Sequence, residues 1–142
     1  MAIELSDEIK AAVNGALMSG HPISFAAVTP DCAPTVSFRG SVLTEGDDAL
    51  LVWFRNPESA TAAGLAEHDQ VVLTWFDMSQ QSFLQFRGRA ERDDDAATRD
   101  RLYDEMPTPE RDRDPGKKGF AVRVQLDTVG GRFGGEMLMM TS

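Results

Sequence analysis

Residues 82–90 alternate with a period of two. Leu84, Phe86, Gly88 and Ala90 share one face, and Phe83, Gln85, Arg87 and Arg89 share the other. Phe120 to Leu126 repeats the pattern, with Phe120, Val122, Val124 and Leu126 inward and Ala121, Arg123, Gln125 and Asp127 outward. A helix cannot keep either set on one side, so both stretches are strands. Ile23 to Val28 and Thr35 to Val42 flank the turn Thr29-Pro30-Asp31-Cys32-Ala33-Pro34 and form a hairpin. Its second strand is expected to bury Val36 and Phe38 and to turn Thr35, Ser37, Arg39 and Ser41 to a polar face. Ala49 to Phe54 is apolar throughout, which marks a strand covered on both sides. Val71 to Phe76 is a further strand, and Met137 to Thr141 is read as a short last one.

Three helices lie between them. Ser6 caps the first, which carries Ile9, Val13 and Leu17 at helical spacing and is expected to end at Gly20-His21-Pro22. Asn56-Pro57-Glu58 reads as N-cap and first turn of a second, ending near Glu67. Asp93, Asp94 and Asp95 cap a third through Leu102, Tyr103 and Met106, and the segment after Pro107 reads as irregular. Gly130-Gly131 and Gly134-Gly135 are expected to break the chain. The set predicts a mainly β fold with peripheral helices, a small antiparallel barrel or sandwich. Strands and helices do not alternate regularly, so a doubly wound parallel sheet is the weaker reading.

The length of 142 residues suits one domain over residues 1–142, and 42% apolar with 26% charged residues is ordinary globular composition. The net charge of −9 disfavours nucleic acid and anionic membranes as partners. No apolar run approaches the roughly 20 residues of a membrane span. The opening residues are acidic and do not read as a signal peptide, and the single cysteine fits a reducing cytoplasm. Residues 91–118 hold 17 of the 37 charged residues, ten acidic and seven basic, which reads as a solvated helix and loop over the β core. Only five basic residues precede position 91: Lys10, Arg39, Arg55, Arg87 and Arg89.

The segment from Arg55 to Thr61 is the leading candidate for an anion site. A helix start presents unpaired N–H groups, and Arg55, Ser59 and Thr61 add donors. The other reading is a capped surface helix. Arg39, Arg87 and Arg89 either line a site for an anionic ligand or form cross-strand ion pairs. Trp53, Phe54, Trp75, Phe76, Phe83 and Phe86 either stack on a planar cofactor or fill the core. His21 and His68 have no ligand-spaced partners, so no metal site is expected, and Cys32 lies in a turn with no activating group in sequence.

The string Ile23-Ser24-Phe25-Ala26-Ala27-Val28 through Pro34 resembles the opening hairpin of pyridoxamine 5′-phosphate oxidase-like flavoproteins. Leu51-Val52-Trp53-Phe54, Ser59 and Val71-Val72-Leu73 resemble that family's third strand, phosphate-binding turn and fourth strand. Phe86-Arg87-Gly88-Arg89-Ala90-Glu91 resembles its fifth. The resemblance spans about residues 8–128 and departs from the family pattern at Cys32, Ser37, Ala60 and Thr61. It implies a split β-barrel and a homodimer with FMN sites at the interface. It places Ser37, Phe38 and Arg39 beside the isoalloxazine and counts Phe54, at the end of the matched strand, among the cofactor-binding residues. Arg55, Ser59 and Thr61 would then hold the phosphate. The implied function is an FMN-dependent oxidoreductase acting on a small molecule. A deazaflavin reductase, or a non-catalytic flavin-binding or stress-related protein with or without a cofactor, is the alternative.

Overall fold

Eight antiparallel strands form one curled sheet, with helices on its outside and across one end. The computed structural model describes residues 2–142. In chain order the elements are α1 (Asp7–Asn14), β1 (Ile23–Val28), β2 (Pro34–Arg39), β3 (Val42–Glu45), β4 (Ala49–Phe54) and α2 (Ala60–Leu65). They continue with β5 (Gln70–Asp77), β6 (Ser82–Asp93), α3 (Ala96–Glu105), α4 (Thr108–Arg111), β7 (Phe120–Phe133) and β8 (Glu136–Thr141). The strand order is β2-β1-β5-β6-β7-β4-β3, and β8 pairs with the far half of β7. Only Gly40 and Ser41 separate β2 from β3, yet these strands are the two ends of that order. The sheet must therefore curl until its ends meet, and β2 and β3 share no ladder. The result is a split barrel.

The period-two faces of β6 and β7 are as the sequence dictates. Leu84, Phe86, Ala90, Val122, Val124 and Leu126 fill the barrel. β4 is buried at every position. Leu50, Val52 and Phe54 enter the barrel core, while Leu51 and Trp53 point out beneath α3, against Leu102 and Met106. Ala121, expected to face out, is buried in that second cluster because α3 covers it.

Several expectations are corrected. The faces of β2 are inverted: Val36 is 66% and Phe38 71% exposed, while Thr35, Ser37 and Arg39 turn toward the barrel. The register fixes this, since Phe38 lies opposite Ser24 and Ser37 opposite the fully buried Phe25. The strand also stops at Arg39 rather than Val42. α1 stops at Asn14, and turns carry the chain to Gly20 at φ 83°. Ser59, not Asn56, is the N-cap of α2; the Asn56 side chain accepts from the Glu58 amide in a turn before it. A short helix, α4, occupies part of the segment expected to be irregular.

β7 runs through Gly130-Gly131 without a break. A Cβ at Gly131 would lie 2.0 Å from the Phe83 carbonyl, so glycine permits the strands to approach there. Gly134 and Gly135, both at positive φ, form the two-residue turn into β8. Between Arg87 and Gly88 the register with β7 shifts, leaving Asp127 as a bulge. No helix among the described residues is long and apolar enough to cross a membrane.

Candidate anion site at the barrel mouth

The site is built where β2 crosses to β3. Ser41 is buried; its hydroxyl donates to the Trp53 carbonyl at 3.2 Å and accepts from the Trp53 amide at 3.3 Å, fastening the crossing to β4. The Gly40 amide donates to Glu110 Oε1 at 3.1 Å. A Cβ at Gly40 would sit 2.8 Å from both the Glu110 carboxylate and Leu17, so a larger residue here would make those two side-chain ends move.

Arg39 turns inward from the end of β2. Its guanidinium lies 4.2 Å from the centre of the Phe54 ring and 5.6 Å from that of Phe25, and its Nε donates to Ser37 Oγ at 3.1 Å. Burial lowers the Arg39 pKa most, Arg55 lowers it further, and Glu110 opposes both. Arg55 follows Phe54 directly and is exposed. Among the described residues it makes no ion pair. Phe38, Arg39, Ser41, Trp53, Arg55 and Glu110 line a cleft with a volume of about 20 Å³, room for about one water. Two guanidiniums thus meet at one mouth, with one carboxylate beside them.

Ser59 and Thr61 stand at the start of α2 and do not line that cleft. The Ser59 hydroxyl accepts from the Ala62 amide at 3.1 Å, which leaves its own proton free to donate. Phe54 is 1% exposed and Arg39 covers its ring, so it supports the arginine. Arg89 takes the ion-pair reading, with Asp127 at 3.0 Å. Trp53, Trp75, Phe54 and Phe86 are buried core, whereas Phe76 and Phe83 are half-exposed.

Sequence reasoning missed Glu110, which arrives from the charged segment. It also missed a contact between Cys32 and His68, whose Sγ and Nε2 lie 3.6 Å apart across 36 positions. No motif spacing could have indicated either. No group of three His, Cys, Asp or Glu side chains that could hold a metal occurs among the described residues.

A model of the family described as pyridoxamine 5′-phosphate oxidase matches residues 5–126. The chain belongs to this family. Nothing among curated proteins matches it. Among solved structures it is similar to HupZ of Group A Streptococcus, with 13% identity, a TM-score of 0.73, and 94% of this chain and 98% of that one covered. It is similar to a Clostridium acetobutylicum protein related to general stress protein 26, of the pyridoxinephosphate oxidase family. There the identity is 10%, the TM-score 0.68, and 96% of each chain is covered. A structure described as F420 reductase shares 19% identity at a TM-score of 0.58, over 77% of this chain and 88% of that one.

In this pyridoxamine 5′-phosphate oxidase-family barrel the outer face carries little charge. The registers align Phe38, Ser24, Thr74, Gln85, Gly130 and Met139 in one row across six strands. A second row holds Val36, Ala26, Val72, Arg87, Thr128 and Thr141. Neither row contains an acid, in a chain of net charge −9. A cleft of about 480 Å³ lies on this face, walled by Ala26, Val28, Val72, Arg87, Thr128 and one acid, Asp127, which is paired with Arg89.

Proposed function

We propose that the chain is an FMN-dependent oxidoreductase that works as a homodimer on a small-molecule substrate. The convergence of Arg39 and Arg55 at the barrel mouth carries this reading. Glu110 offsets only part of the cost of holding two guanidiniums together, and Arg55, exposed and without an ion pair among the described residues, is free to turn to a phosphate. The donors suit such a group, and because the cleft itself holds about one water the phosphate would lie outside it, against the exposed Arg55. Arg55 and the Ser59 hydroxyl would hold the phosphate, and Arg39 would supply field from its place on Phe54. The β2 backbone and Phe38 would border the ring. When bound, the flavin supplies hydride transfer.

The acid-poor outer face, whose one cleft acid Asp127 is paired with Arg89, supports the dimer. Two chains of charge −9 repel least where carboxylates are few, and Val36, Phe38 and Met139 offer exposed apolar surface there. A second copy on this face would close the cleft beside Arg87.

The likeness to an F420 reductase favours a second reading, in which the same arginines hold the phosphate of a deazaflavin. Titration with FMN, riboflavin and a deazaflavin cofactor, followed by fluorescence, separates the two. The proposal expects saturable FMN binding, weaker riboflavin binding, and an Arg55→Ala variant that loses affinity for FMN but not for riboflavin. Equal losses for both ligands would remove Arg55 from the phosphate site. Binding of the deazaflavin alone would select the second reading.

A further inference from the structure

The single cysteine of the chain meets a histidine in space. Cys32 is exposed in the turn after β1, and His68 is half-buried just after α2. Cys32 Sγ and His68 Nε2 lie 3.6 Å apart, within reach of a thiol hydrogen bond. Backbone packing sets this meeting. A Cβ at Gly64 would lie 2.1 Å from the Val28 carbonyl oxygen, so its absence lets the last turn of α2 rest directly on the end of β1. The His68 amide then donates to the Gly64 carbonyl at 2.8 Å, and the Cys32 amide to that of Thr29 at 2.9 Å. Cys32 has a φ of 65°, a conformation glycine takes freely and a residue with a Cβ does not. The fold thus holds a strained cysteine with its sulfur beside an imidazole.

The surroundings of the pair are acidic. Asp31 precedes the cysteine, Glu67 and Asp69 flank the histidine, and all three are exposed. The Thr29 hydroxyl donates to Asp31 and holds its carboxyl below the ordinary value, so it stays charged. Arg89, which feels Asp69, is already paired with Asp127. Negative charge nearby opposes ionising a thiol, and a base that takes the proton and stays beside the sulfur as a cation offsets this. His68 is placed to be that base. The same carboxylates repel an anionic reagent and attract a cationic one.

We propose that Cys32 and His68 form a thiol–imidazole pair that makes Cys32 a site of modification by small cationic or neutral disulfides. His68 Nε2 takes the Sγ proton, and the sulfur attacks one sulfur of the reagent. The new Sγ–S bond forms as the reagent's S–S bond breaks, and the departing thiolate takes the proton back from His68. Cys32 is oxidised to a mixed disulfide and one equivalent of free thiol is released. The chain has no second cysteine to resolve the adduct, so it persists until an external thiol removes it. The pair shares no residue with the arginine cleft, and the inference does not rest on the flavin reading.

The test mixes the reduced full chain near neutral pH with cystamine, which is cationic, with bis(2-hydroxyethyl) disulfide, which is neutral, and with oxidised glutathione, which is anionic. Intact mass follows the adduct, and each rate is divided by that of N-acetylcysteine amide with the same reagent. Cystamine is expected to modify Cys32 at least about tenfold faster than it does the model thiol. The neutral disulfide should keep part of that advantage, and glutathione should show the smallest ratio. His68→Gln should remove the advantage with circular dichroism unchanged, and imidazole added to His68→Ala should restore part of it. The proposal is overturned if Cys32 reacts no faster than the model thiol, or if His68→Gln reacts as fast as the wild type. It also falls if the anionic disulfide matches the cationic one, or if imidazole restores nothing, which would leave His68 as a prop for the turn.

Discussion

Asp114 anchors the charged segment to the barrel, and its removal should be severe. The residue is 8% exposed. Its carboxylate accepts from Trp53 Nε1 at 3.0 Å, the Lys118 amide at 2.9 Å and the Gly119 amide at 2.8 Å. Each charge-assisted bond is worth about 1.5–3 kcal/mol, and the three share one acceptor group, so their losses do not add fully. We expect Asp114→Ala to cost about 3–5 kcal/mol, because two buried donors, the Trp53 indole and the Gly119 amide, lose their partner at once and the part-buried Lys118 amide loses it too. That is a large share of the roughly 5–15 kcal/mol that holds such a domain folded. Asp114→Asn keeps one carbonyl oxygen but turns an amide N–H toward a donor, and should cost about 2–3 kcal/mol. Urea unfolding followed by tryptophan fluorescence measures both.

The pH dependence gives a second check on Asp114. Burial alone would raise its carboxyl, but the three donors and Arg99 outweigh it and hold the pKa below the ordinary 3.8. A lowered folded value means the contribution is complete above 3.8 and fades as the pH falls below it. The gap between wild type and variant should therefore be widest near neutrality and narrow under acid. A loss below about 1 kcal/mol at neutral pH, or a gap that does not change in acid, would refute the reasoning.

Three further outcomes are expected. Glu110→Gln keeps an acceptor for the Gly40 amide but removes the negative charge beside Arg39 and Arg55, so FMN affinity should rise about fivefold at low salt and less at high salt; isothermal titration reads this. Gly88→Ala would place a Cβ 2.2 Å from the Gln125 carbonyl at the bulge, where backbone cannot yield. That substitution should cost about 3 kcal/mol or more in thermal or urea unfolding. Phe38→Asp puts a charge on the outer apolar row, and light scattering should show a shift from dimer toward monomer while circular dichroism stays unchanged.

The strands were legible because burial forces a period of two, and β6, β7 and the doubly covered β4 followed directly. The failure at β2 is instructive. Alternation shows which residues share a face but not which face turns inward, and hydrophobicity alone chose Val36 and Phe38. The structure instead turns Arg39 inward, because Phe54 and Phe25 offer it an aromatic seat, and leaves the apolar pair outside. Gly130-Gly131 looked like a break, yet strand pairing uses the backbone and needs no side chain there. At the site, Arg55 was legible from its place before the helix start. Glu110 and Asp114 were not, since in a run of mixed charge nothing marks the two carboxylates that dock.

The central claim is that Arg39 and Arg55 form a phosphate site for a flavin, and the most direct measurement is equilibrium binding of FMN against riboflavin to the wild-type chain. The account predicts a saturable complex near one flavin per chain, with quenched fluorescence and FMN bound at least about tenfold more tightly, the worth of one charge-assisted phosphate contact. A chain that binds neither flavin, or binds both equally, would contradict it.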